Sequence, residues 1–181
     1  MALFDDKEIF LMPTTTFFNL KDEKKERITN VLLTVFSTDS LNDAKISTIV
    51  AQAEIARGAF YKYFANLTDA YQYVFGLAMK SIHQPFNYRD LEADSIIQTI
   101  QEFVNQQRDS KYHDFIKLYY QKNQYLLPAL YQPDVTKLTP AQWSSNILVH
   151  QTIKDCLLHP DQEHQYLQFL TVSLKQLFKG A

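Results

Sequence analysis

The chain has 181 residues, 46% of them hydrophobic and 21% charged, a globular composition long enough for one full core or a small domain on a larger body. Its net charge of -2 and pI near 6.2 exclude a protein that holds nucleic acid through overall charge, so any DNA affinity has to come from a local patch. Three glycines leave little material for tight hairpins and favour an all-helical fold. No stretch approaches the roughly 20 apolar residues of a membrane span. The lone Cys156, with no leader peptide, points to a cytoplasmic, reducing setting.

Residues 1–20 read as an N-terminal arm. Apolar and polar residues mix there without period, and Pro13 beside three threonines breaks up a helix. A loose tail is the plain reading, and a minor-groove arm is the alternative, with Lys7 as its basic residue. A helical pattern starts at Lys21, where Ile28, Leu32, Val35 and Phe36 share one face, and it ends in the polar run 37–40. Asn42 or Asp43 is placed to cap a second helix carrying Ile46, Ile49, Val50 and Ala53. A third, short helix runs from Arg57 to Tyr63. Asn66 reads as the cap of the next helix, with Asp69 completing a capping box, and that helix runs toward His83.

Helical spacing continues through Ile96, Ile97, Ile100 and Phe103, and again through Phe115, Ile116, Tyr119 and Tyr120. A shorter helix is expected over 124–131, kinked or ended by Pro128. Thr139-Pro140 is a cap followed by proline at the first helical position. It opens a helix to Leu158, His159-Pro160-Asp161 breaks the chain, and a last helix carries Tyr166 to Phe178 ahead of Gly180.

The informative stretch is KISTIVAQAEIARGAFYKYF, residues 45–64. Its inner faces are apolar, and Ala53 is small where two helices would cross. The outer face of the third helix offers Arg57, Gly58, Ala59, Lys62 and Tyr63. Its N-terminal turn is nearly free of side chains and can approach a duplex closely, with a positive dipole end that suits phosphate. Arg57 can reach a guanine edge or a phosphate, and Tyr61, Lys62 and Tyr63 can donate to the backbone. The pattern by itself is equally that of an ordinary helical hairpin with a solvated charged face.

The segment resembles the N-terminal domain of the TetR/AcrR family of bacterial transcription regulators. Phe36 falls at the end of the first helix of that pattern. Ile49-Val50 stands for Ile-Ala, and Ala53-Glu54-Ile55 for Ala-Gly-Val. Gly58-Ala59-Phe60-Tyr61-Lys62-Tyr63-Phe64 matches the Gly-x-Leu-Tyr-x-x-Phe recognition helix. The match runs without a gap from Ile28 to Asp69. It implies an all-α fold with a helix-turn-helix head over 21–66 and a helical body over 67–181, joined within the fourth helix.

By this resemblance Arg57, Ala59 and Tyr63 face base edges or their surroundings, with Gly58 beside them. Tyr61, Lys62 and Lys45 hold phosphates, and Ser47 and Thr48 add hydroxyl contacts. Hinge packing is the other reading for Tyr61, and plain solvent exposure for Ser47. Four positions depart from the pattern. Glu54 replaces the glycine of the turn, which implies a looser turn or one avoiding positive φ. Ala56 replaces the usual Ser or Thr cap, a loss of about 1 kcal/mol. Leu67 stands where a phosphate-contacting lysine is usual, and Lys45 where a Thr or Ser often begins the second helix. Residues 21–67 hold seven basic and six acidic side chains, which implies weaker nonspecific binding and a salt dependence smaller than that of a strongly basic reader.

For the body, the resemblance implies a repressor released by a small-molecule effector. It also implies a homodimer through the last two helices, residues 141–158 and 161–178, as a four-helix bundle. The alternative is that both helices cover the body's own core. Two heads about 34–36 Å apart would read a palindromic double-stranded operator. Tyr112, Phe115, Tyr119, Tyr120, Tyr125 and Trp143 can line an effector pocket, or simply be core. His113 can orient a polar ligand or stand in solvent.

No enzyme motif, cofactor loop or metal signature occurs. His159 and His164 lie five apart across a proline turn, which is not a ligand spacing. Cys156, between Ile153 and Leu157, is expected to be packed and unreactive. The other functional class left open is a dimeric helical protein-interaction module without specific DNA binding.

Overall fold

The computed structural model describes residues 13–83, 92–127 and 134–179. Among these residues no strand occurs, and the all-α fold class holds. The helices are α1 (Thr15–Phe18), α2 (Asp22–Thr38), α3 (Ile46–Gln52), α4 (Arg57–Tyr63), α5 (Leu67–His83), α6 (Ala93–Gln107), α7 (His113–Leu118), α8 (Pro140–Leu158) and α9 (Glu163–Phe178). A π-helical turn, Tyr119–Asn123, continues α7, and Val135–Lys137 and Pro160–Gln162 are 3-10 turns. No helix among the described residues is long and apolar enough to cross a membrane. The described residues fall into two compact units, 13–83 with 114–127 and 92–113 with 134–179.

The first unit is built on the apolar stripe of α2. Ile28, Leu32, Val35 and Phe36 are buried, as their i, i+4, i+7, i+8 spacing requires. α5 supplies Ala70, Tyr71, Val74 and Ala78 to the same core, α3 supplies Ile49, and α4 supplies Phe60. Tyr71 stacks between Phe36 and Phe115, with ring centroids at 5.0 and 4.9 Å. Its hydroxyl accepts a hydrogen bond from Asn123 Nδ2 at 3.2 Å, and Asn123 Oδ1 accepts from the Leu41 N–H at 2.9 Å. A fully buried amide thus ties the π-turn to the α2–α3 loop and to α5, satisfying groups that are costly to bury alone.

Residues 13–18 are not a loose tail. Thr15–Phe18 forms one helical turn and Phe17 is fully buried. Its ring meets those of Tyr63, Phe64 and Tyr73 at 5.9, 5.1 and 5.2 Å. A Phe buried this completely contributes about 1.5–3 kcal/mol toward holding a short segment that its composition reads as irregular. Residues 1–12 lie outside the described residues.

Helix ends show where side chains act as caps. Asn66 Oδ1 accepts from the Asp69 N–H at 2.9 Å, and Asp69 Oδ2 accepts from the Ala65 N–H at 2.9 Å. The box therefore reaches one residue further back than expected. Thr139 and Gln142 form a full capping box on α8, with Pro140 at its first position. Asn42 and Asp43 do not cap α3. Lys45 occupies the cap position, with no side-chain bond, and Asp43 instead accepts from Ser40 Oγ within the preceding loop. The helix expected over 124–131 is not seen at 124–127, which form a turn after the π-helical stretch; residues 128–131 lie outside the described residues.

In the second unit α6, α8 and α9 pack together. α6 buries Ile97, Ile100, Phe103 and Val104, and α9 buries Leu170 and Leu174. Arg108 pairs with Glu163, and Lys175 Nζ lies 3.0 Å from Asp94 Oδ1. Trp143 and Ile147 of α8 and Phe169 and Val172 of α9 remain exposed.

Candidate nucleic-acid interface

The connection between α3 and α4 sets the geometry of the site. Glu54 has φ 52°, the left-handed region that a glycine adopts freely and an L side chain does not. The Ile55 N–H donates to Val50 O at 3.1 Å and the Glu54 N–H to Ala51 O at 3.4 Å, the paired bonds of a Schellman ending. The expectation of a looser turn, or one avoiding positive φ, is therefore corrected. The turn keeps its tight form, and Glu54 carries the strain. Arg27 Nη1 lies 3.8 Å from its carboxylate, an exposed contact of little energetic weight.

Beyond the turn, α4 begins without a side-chain cap, as Ala56 dictates. Phe60 and Phe64 are buried beneath it. On its outer side Arg57, Gly58, Tyr61 and Lys62 are exposed and Ala59 is partly so. The Arg57 guanidinium lies 5.9 Å from the Tyr61 ring centroid, and Arg57 Nη2 approaches the Tyr61 hydroxyl at 3.5 Å. Tyr61 is 48% exposed, and its ring stands edge-on to Phe60 at 5.5 Å. Gly58 has no positive φ, and a Cβ built there meets nothing within 4 Å. Neither backbone nor packing in this chain explains a glycine at that position. Lys45, at the cap position of α3, and Ser47 on that helix are exposed, and Thr48 is partly buried.

Tyr63 does not share that face. It is 5% exposed, covered by Phe17, with Lys24 Nζ 6.0 Å from its ring centroid. The resemblance implies an outward position for it on α4. The turn α1 makes that position interior, and no periodicity in residues 13–18 announces it.

The six aromatic residues expected around a pocket differ in burial. Tyr112 and Trp143 belong to one compact unit, and Phe115, Tyr119, Tyr120 and Tyr125 to the other. Phe115 is fully buried core against Tyr71, Tyr125 is 86% exposed, and Trp143 is 48% exposed. Tyr119 and Tyr120 are half-buried. Burial raises both phenols, that of Tyr120 to about 12, so both remain neutral hydrogen-bonding groups. His113 is engaged locally, its Nδ1 3.2 Å from Gln107 O.

Cys156 is buried. Burial, then the Glu163 and Asp155 carboxylates, push its thiol up to about 11, so it is protonated and a poor nucleophile at neutral pH. Among the described residues no group of three or more His, Cys, Asp or Glu side chains converges as a metal site.

The class this architecture defines is an all-helical, TetR-like fold. No family model matches the chain, and no curated protein matches its sequence. Among solved structures it is similar to a TetR family transcriptional regulator from Chloroflexus aurantiacus J-10-FL. The TM-score is 0.51 at 20% identity, and the aligned part covers 93% of this chain and 98% of that one. A likeness at this identity carries the fold, over nearly the whole of both chains.

Proposed function

We propose that this chain is a DNA-binding transcription regulator that reads duplex DNA with the outer face of α4. The observation that carries the reading is the composition of that face. Arg57, Tyr61 and Lys62 stand exposed around a glycine whose Cβ position opens on free space. Arg57 suits a two-pronged contact with guanine or a salt bridge to phosphate. Lys62 and Lys45 suit phosphate, and Tyr61, Ser47 and Thr48 suit hydrogen bonds to the backbone. The bare surface at Gly58 lets a sugar-phosphate chain come close.

A palindromic operator requires two heads. The second part of the proposal is therefore a homodimer through α8 and α9. Trp143 and Ile147, one turn apart on α8, and Phe169 and Val172 on α9 are exposed apolar side chains of the kind that a homodimer interface covers. Repression relieved by a small apolar effector completes the reading. Of the aromatic residues, Tyr119 and Tyr120 are the ones suited to orient such a molecule. No catalytic step belongs to it.

The exposed apolar residues of α8 and α9, together with the near-neutral head, favour one competing reading, a dimeric protein-interaction module. Selection of bound sequences from random duplex DNA at low salt separates the two. The regulator reading expects an enriched palindrome; enrichment of no sequence would leave the interaction module.

A further inference from the structure

Helix α4 is seven residues long, too short to persist in water by its own hydrogen bonds. Its N-terminal end lacks a side-chain cap, since Ala56 stands there. Its C-terminal end is held from outside. Thr14 Oγ1 donates to Lys62 O at 2.7 Å, and the Thr14 N–H donates to Tyr63 O at 3.0 Å. These are carbonyls that a helix end leaves without intrahelical partners. Thr14 is itself the residue preceding α1, yet its side chain makes no capping bond to that helix. Its hydroxyl serves α4 instead. Three residues on, Phe17 buries its ring against Tyr63 and Phe64 at the same end.

We infer that Thr14 is a positioning residue for α4: by binding the last two carbonyls of that helix it fixes the direction in which Arg57, Tyr61 and Lys62 are presented. The inference rests on the DNA-reading role of that face. Bracing at the C-terminal end replaces the capping absent at Ala56. It acts through the backbone of Lys62, whose side chain belongs to the reading face, and of Tyr63, whose ring is the anchor beneath Phe17. Thr14 itself touches no base.

The test uses the full chain and two readouts. Thr14→Val keeps the shape and removes the donor. In the free protein it speeds amide hydrogen exchange at Tyr61 to Phe64, while exchange in α8 and α9 is unchanged. On a selected duplex it lowers affinity by up to about tenfold, since no more than the net worth of the one lost hydrogen bond can reach binding, and it lowers binding to a scrambled duplex less. Thr14→Ser, which keeps the hydroxyl, stays within about twofold of wild type on both readouts. Ala56→Thr, which supplies an N-terminal cap, recovers part of the loss in the Thr14→Val background. Unchanged exchange at Tyr61 to Phe64 in Thr14→Val overturns the inference, as does Thr14→Ser being impaired as badly as Thr14→Val. Should the wild-type protein bind no duplex at all, the DNA reading fails on its own, and the exchange result alone decides whether Thr14 braces α4.

Discussion

Replacing Gly58 by Ala is expected to stabilise the protein and weaken its hold on DNA. The added methyl group would stand in open space, since nothing lies within 4 Å of a Cβ at that position. No steric penalty therefore offsets the gain of about 0.5–1 kcal/mol that Ala brings over Gly in a helix. In a chain of this size, 1 kcal/mol moves the melting temperature by about 2–4 °C, so the variant is expected to melt about 1–4 °C higher. With a duplex bound, the same methyl group would intrude between α4 and a closely packed backbone. Overpacking of that kind costs about 1–3 kcal/mol, or roughly a fivefold to 150-fold loss of affinity. Differential scanning calorimetry on the free protein and fluorescence anisotropy on a labelled, selected duplex measure the two effects. A variant that melts higher and binds as tightly as wild type would refute the claim that this surface meets DNA.

Three further outcomes follow from the same geometry. Glu54→Gly relieves the left-handed backbone at φ 52° and should raise stability by about 0.5–1.5 kcal/mol in urea titrations; a loss would mean that the carboxylate matters more than the strain. Asn123→Leu removes the partner of the Leu41 N–H and the Tyr71 hydroxyl, and should cost about 2–4 kcal/mol, with a cost below about 0.5 kcal/mol counting against the buried amide as a tie. Sedimentation at micromolar concentration should give a dimer, and Phe169→Asp, which puts a charge on the exposed apolar face of α9, should give monomers; a wild-type monomer would remove the dimer from the proposal.

The fold was readable in the sequence wherever a physical rule acts locally. The stripe of α2 and the Thr139-Pro140 start of α8 follow from residues within a few positions of one another. The α4 boundaries, Arg57 to Tyr63, follow from the same kind of short-range pattern. What stayed hidden depends on contacts distant along the chain. Thr14 and Lys62 are separated by 48 positions, and nothing in the composition of residues 13–18 signals that Phe17 will cover Tyr63. Local rules also mislead where tertiary packing overrides them. Glu54 is a poor residue for positive φ, yet the Schellman bonds and the burial of Ala53 and Phe60 on either side hold the turn tight. The exposed residues of the candidate site, Arg57, Gly58, Tyr61 and Lys62, were readable because helical spacing separates them from the buried Phe60 and Phe64. Among the aromatic residues offered for a pocket, local spacing does not tell the fully buried Phe115 from Tyr125, which is 86% exposed.

The most direct test of the DNA-reading claim is the affinity of Arg57→Ala for a selected duplex, measured against a scrambled duplex at the same salt concentration. The exposed guanidinium of Arg57 predicts a loss of about 1–3 kcal/mol on the selected sequence with a much smaller change on the scrambled one. Equal affinities for wild type and variant on the selected duplex would contradict the account.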